Sequence, residues 1–142
     1  MHTLQTRLTG LARPLFGAAF VRFIAYLGLC AAYLQGGLNK LTDFAGAVAE
    51  MTHFGLSPAP VFAVIVIALE LAASLMILLG FLRWLGALAL GGFTLMATFL
   101  ALRFWELPVG MERFMAANSF FEHLGLVGGF LLVAWLDLTE KA

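Results

Sequence analysis

Glu70 lies about ten residues into an apolar stretch, with Leu69 and Leu71 on either side. A carboxyl group at that depth either holds a proton or is half of an ion pair, because an isolated charge there costs about 2.5–3.5 kcal/mol. An earlier apolar stretch offers a partner. Arg22, Tyr26, Leu29, Tyr33, Gly36 and Lys40 recur in it at spacings of three and four, which places them on one helical face. Arg22, Tyr26 and Glu70 are therefore the expected intramembrane polar centre. Two arrangements are compatible with the spacing. In one, Arg22 reaches Glu70 across an offset of roughly 10 Å, bridged by the Tyr26 hydroxyl. In the other, Arg22 extends to the headgroups and Glu70 is a neutral acid bonded to a hydroxyl.

A second set of polar residues gathers near the opposite membrane face. Gln35, Asn39 and Lys40 fall at the far end of the first stretch, and Glu122 and His123 at the start of the last. A Lys40–Glu122 contact would close them into an outer polar cluster; the alternative is a solvated rim of unrelated charges. These residue types suit one class of chemistry. Arginine and tyrosine can donate hydrogen bonds to a bound group, while a carboxyl and an imidazole exchange protons.

Other chemistries find no residues. Of three histidines only His123 is near a span, so a pair of haem ligands is missing. The single cysteine excludes a disulfide framework, a Cys-x-x-Cys pair and a cysteine-built metal site, and no metal is expected. Cys30 reads as a small packing residue. No phosphate-cradling glycine loop or nucleophile elbow occurs; Gly36-Gly37 and Gly91-Gly92 lie inside apolar stretches.

These residues need elements to hold them, and the composition says which. The 142-residue chain is 63% hydrophobic and 11% charged, with a mean hydropathy of +1.00. So small a water-soluble globule could not cover its surface with that many charges. Eight Lys and Arg balance eight Asp and Glu, so nucleic acid is not a partner. Four stretches approach the roughly 20 apolar residues that cross a bilayer: about 21–38, 61–82, 84–102 and 120–136. Period-2 alternation is absent, which excludes a β-barrel. The expected fold is an all-α integral membrane protein, a four-helix up-down bundle forming a single membrane domain over 1–142.

The connections carry their own signals. Gly80-Phe81-Leu82-Arg83 is barely a turn and makes spans two and three a hairpin. Residues 42–54 place Phe44, Ala47, Val48 and Met51 on one face, as a short interfacial helix would. Residues 103–118 carry Trp105, Val109, Met111 and Phe114 among charges and are expected to behave alike. The segment 1–19 repeats Leu4, Leu8, Leu11 and Leu15 at helical spacing beside Arg7 and Arg13, an amphipathic helix along the cytoplasmic face. Small-residue stripes at Ala87, Gly91, Thr94, Thr98 and Ala101, and at Gly125 and Gly129, allow close helix packing. With both termini inside, the cytoplasmic side holds Arg7, Arg13, Arg22, Arg83 and Lys141 against Lys40, Arg103 and Arg113 outside. No small-residue pattern closes the first span as a cleavage site, so it is expected to stay.

In order and spacing these features resemble the DoxX family of small bacterial membrane proteins. Arg22, Gly28, Gly37 and Lys40-Leu41 match the family's first span, and Gly55-Leu56-Ser57-Pro58 its turn before span two. Ala68-Leu69-Glu70, Gly80-Phe81-Leu82-Arg83 and Phe121-Glu122-His123-Leu124-Gly125 match the later segments, so the likeness covers about residues 20–136. The resemblance implies a four-helix bundle in the inner membrane, linked to redox complexes. One family branch is tied to thiosulfate:quinone oxidoreductase, another to complexes handling thiol and oxidative stress. The lone cysteine weakens direct sulfur transfer.

Three functions compete on this basis. The first is a membrane subunit of an oxidoreductase complex that contacts quinone, with no cofactor bound by this chain alone and electrons arriving from a redox partner subunit. The second is a non-enzymatic scaffold whose small-residue faces pack partner helices. The third is an oligomeric small-molecule carrier switched by protonation of Glu70. A bilayer surrounds the protein in each case, and a homo-oligomer suits the third.

Overall fold

In a computed structural model describing residues 1–142, every regular element is helical. The elements are α1 (His2–Phe16), α2 (Ala19–Thr42), α3 (Phe44–His53), α4 (Ala59–Leu79), α5 (Arg83–Ala101) and α6 (Met111–Glu140), with a 3-10 turn at Phe104–Glu106. α2, α4, α5 and α6 are each long and apolar enough to cross a membrane. The chain is an all-α membrane protein.

Its burial pattern fits lipid as the surrounding solvent. Only 24 of 142 residues are buried, and side chains such as Phe20, Val64, Leu79, Met96, Leu132 and Trp135 point outward. In water such a surface would aggregate; against acyl chains it costs nothing. The interior is small and close-packed instead. Tyr26, Cys30, Tyr33, Ala73, Ile77, Ala87, Leu90 and Phe130 form the main core.

The spans pack in chain order: α2 against α4, α4 against α5, and α5 against α6. α2 meets α6 at few points, among them Leu29 against Gly129 and the edge of Tyr33 against the Phe130 ring, 5.3 Å between centroids. Glycine sets the closest approaches. A Cβ on Gly86 would stand 2.8 Å from the Ala73 carbonyl oxygen, so α4 and α5 touch backbone to backbone there. In the hairpin between them Gly80 takes φ +78°, a conformation open to glycine, and Arg83 Nε donates to the orphan Ile77 carbonyl at 2.7 Å.

The connections differ from expectation in one place. Residues 42–54 do form a short helix, α3, whose Ala47 and Met51 pack on Ala63 and Val66 of α4. Residues 103–118 do not form a second one. After the 3-10 turn, α6 starts at Met111 and runs 30 residues without a break. Nothing past Gly110 interrupts the ladder, since no proline follows and the internal glycines remain helical. At 1.5 Å per residue the helix spans roughly 45 Å, longer than the hydrocarbon core. Phe120 of α6 packs edge-on against Phe99, Phe104 and Trp105, fastening the turn to the bundle. α1 is the expected amphipathic helix: none of its residues is buried, and Leu4, Leu8, Leu11 and Leu15 are all exposed.

Candidate functional site

α2 and α4 approach closely at Gly36-Gly37. A Cβ on Gly37 would lie 2.7 Å from Leu71 Cδ2, and one on Gly36 would lie 3.6 Å from Glu70 Oε2. The Glu70 carboxylate therefore lies over Gly36 at van der Waals distance, while Gly37 is where a larger residue would collide with Leu71. One turn further along α2, Lys40 Nζ donates to both carboxylate oxygens, at 3.4 Å to Oε1 and 3.3 Å to Oε2. The two side chains are 17% and 8% exposed, so this ion pair is largely withdrawn from water. It needs its partner: a lone buried charge would cost several kcal/mol.

Lys40, but not Glu70, lines an open cavity of about 350 Å³ together with Asn39, Asp43, Glu50 and the backbone of Gly36 and Gly46. Asp43 has a structural task there, capping α3 by accepting the Gly46 N–H at 3.0 Å. Glu50 and Asn39 are exposed on the lip. A second cleft of about 400 Å³ at the same end is lined by His53, Arg103, Glu106 and Glu112. Its Arg103–Glu106 pair, 3.4 Å apart, is half exposed on both sides and is worth little to stability. The buried pair is the stronger candidate site.

Deeper polar groups tie the helices together. Thr94 Oγ1 donates to the Leu90 carbonyl at 2.7 Å, so its single proton is used and Tyr33 O–H must donate to it. By the same reasoning Thr98 donates to the Thr94 carbonyl at 2.6 Å and accepts from His123 Nδ1 at 3.0 Å. His123 is thus protonated on Nδ1 when neutral. Ser74 donates to the Glu70 carbonyl at 2.6 Å.

The expected polar centre divides into two separate sites. Arg22 does not pair with Glu70: its Nη2 donates to Glu140 Oε2 at 2.7 Å and its Nε to Tyr26 Oη at 2.8 Å. The cause is helix geometry. Glu70 faces Gly36, fourteen residues beyond Arg22, or roughly 21 Å along the axis, which no arginine spans. Lys40, a single turn away, reaches it. The Lys40–Glu122 contact is absent for the complementary reason, since Lys40 is turned inward and Glu122 is exposed on α6 with no partner. His123 goes to Thr98, and Gln35 is exposed without a side-chain bond. Of the expected outer cluster, the structure brings together only Asn39 and Lys40. Asp137 escaped the sequence reading altogether. It is 2% exposed, accepts the Trp84 N–H at 3.0 Å at the start of α5, and pairs with Lys141 at 2.9 Å.

The segment that carries α2, the Lys40–Glu70 pair and the hairpin is the one that comparison singles out. Residues 21–103, more than half of the chain, match the family model described as DoxX. The chain belongs to the DoxX family. Among curated relatives, the inner membrane protein YqjF of Escherichia coli (strain K12) is 38% identical over 103 residues, 72% of either chain. The inner membrane protein YphA of the same strain is 26% identical over 137 residues, 94% of this chain and 91% of that protein. No solved structure matches. Inner-membrane relatives and four candidate spans make this DoxX chain a multi-pass bacterial inner membrane protein.

Proposed function

We propose that this chain is the membrane subunit of a redox-linked complex and that its Lys40–Glu70 pair receives the head of a lipid-soluble quinone. The buried, loosely closed ion pair carries the reading. An ammonium has three N–H donors, yet both contacts of Lys40 go to one carboxylate, at 3.3 and 3.4 Å. Such long contacts leave donor capacity for a ring carbonyl at the cavity. Glu70, bonded to Lys40 behind the cavity wall, is the group that holds a proton at Oε1 or Oε2, and the exposed Asp43 and Glu50 line the cavity's mouth. The donor set fits a quinone head, which when bound would accept electrons delivered by a partner subunit. Lys40 orients the carbonyl; Glu70 exchanges the proton.

A photoreactive quinone analogue should label the segment between Gly36 and Glu50, and Lys40→Gln should weaken its binding about tenfold, the loss of one charge-assisted hydrogen bond. Glu70→Gln should keep binding but stop proton uptake on reduction. Labelling confined to other spans, or binding unchanged in Lys40→Gln, overturns the reading. A mild-detergent pull-down separates the alternatives: a co-purified redox enzyme supports the proposal, and a partner without redox chemistry favours the scaffold.

We also propose that both termini are cytoplasmic, supported by the balance of basic residues about the four spans. The cavity then opens to the periplasm. A cysteine placed at Ala142 should react with an impermeant reagent only from the cytoplasmic side, and one at Glu50 only from outside. The reverse pattern inverts the topology.

A further inference from the structure

At the end of the bundle where α2 and α5 begin and α4 and α6 finish, two guanidinium groups converge on one tyrosine. Arg22 Cζ lies 5.5 Å from the centroid of the Tyr26 ring and Arg83 Cζ lies 4.6 Å from it. Tyr26 itself is buried, so the two cations sit together over a weakly hydrated surface. The nearby carboxylates do not neutralise both. Glu140 takes Arg22, and Asp137 takes Lys141 and the Trp84 N–H. Arg83 forms no salt bridge; its Nε is spent on the Ile77 carbonyl, and Nη1 and Nη2 have no acceptor. Neither is sealed from solvent, as no unpartnered side-chain polar atom is buried. Arg22, Arg83 and Lys141 against Asp137 and Glu140 leave one positive charge. α1, joined to α2 through Gly17 and Ala18, adds Arg7 and Arg13 at the same end.

The surroundings are apolar. Phe20 on α2, Phe81 and Leu82 in the hairpin and Leu138 on α6 are all exposed at this end of the bundle. A ligand that fits must carry one negative charge with forked acceptor oxygens, and must also cover hydrocarbon. We propose that this end of the bundle binds the phosphodiester of an anionic phospholipid. The fork of Arg83 holds its oxygens, Arg22 and Lys141 flank it, and its acyl chains lie along Phe81 and Leu138. The site is separate from the Lys40–Glu70 pair, which lies toward the other end of the same spans.

Bilayer discs of mixed phosphatidylglycerol and phosphatidylcholine test this with the full chain. The lipid that stays with the protein, read by native mass spectrometry, should be enriched in phosphatidylglycerol about fivefold over the bulk ratio. Arg83→Gln should return it to the bulk ratio, whereas Arg103→Gln, a half-exposed cation at the other end of the bundle, should leave it unchanged. If Arg83→Gln does not fold, Arg83→Lys keeps the charge and loses the fork, and should still lower the enrichment. Retained lipid at the bulk ratio in the unaltered protein overturns the proposal, as does undiminished enrichment in both Arg83 variants. Displacement by inorganic phosphate at equal concentration would assign the site to the free anion and overturn the lipid.

Discussion

Lys40→Ala should lower the stability of the folded protein by about 3–5 kcal/mol, because it strands the Glu70 carboxylate in a site that gives it no other cation. Nothing else within salt-bridge distance of Glu70 is positive. Glu70→Gln should cost less, about 1–2 kcal/mol. It keeps an acceptor over Gly36, and the freed ammonium can turn to Asp43 or Glu50 in the cavity beside it. The double change Lys40→Met with Glu70→Leu should recover most of the loss, since no charge is left buried. Arg22→Ala is the control: its pair with Glu140 is 40% and 50% exposed, and losing it should cost about 1 kcal/mol or less. Thermal unfolding in mild detergent for Lys40→Met, Glu70→Leu and their double gives the coupling. Additive losses at Lys40 and Glu70 would show that the pair contributes nothing, and a larger loss at Arg22 would reverse the assignment of partners.

That reversal is instructive about what the sequence carries. Length and hydropathy alone place the four spans, because the bilayer imposes a near-fixed apolar length on each. The hairpin at Gly80–Arg83 and the amphipathic α1 are legible for similar local reasons. Glu70 is legible too, since a carboxylate among leucines needs an explanation wherever it falls. Its partner is not. Arg22, Tyr33, Gly36 and Lys40 share one face, and periodicity says nothing about which level of that face meets α4. Gly37 decides it: a Cβ there would collide with Leu71, so α4 meets α2 most closely at this level and the Glu70 carboxylate falls next to Lys40. The length of α6 was obscured in the opposite way. Charges at Glu112 and Arg113 make its first turns look like a surface segment, although the backbone continues unbroken into the membrane. Asp137 gave no signal because it lies in the final turn of α6, among Leu136, Leu138 and Glu140, where a carboxylate ordinarily faces water.

Asp137→Ala should cost about 2–4 kcal/mol, much more than its place in the last turn of a terminal helix suggests. The side chain is 2% exposed and does two things at once. Its Oδ2 accepts the Trp84 N–H at 3.0 Å, one of the orphan donors at the start of α5, and its charge lies at the positive end of that helix dipole. Its Oδ1 pairs with Lys141 at 2.9 Å. α5 begins at Arg83 with Leu82 before it, and no side chain from its own loop caps it. A residue from the end of α6 therefore completes the start of α5, so the closing turn of the chain holds the hairpin in place. Asp137→Asn separates the two contributions. It retains an acceptor for Trp84 and loses the charge, and should cost roughly half as much. Lys141→Ala, whose ammonium is 58% exposed, should cost about 1 kcal/mol or less. Hydrogen exchange at the Trp84 amide reads the contact directly. It should quicken strongly in Asp137→Ala, modestly in Asp137→Asn and hardly at all in Lys141→Ala. Equal protection in all three would mean that α5 is capped by its own backbone, and that the burial of Asp137 serves only its pair with Lys141.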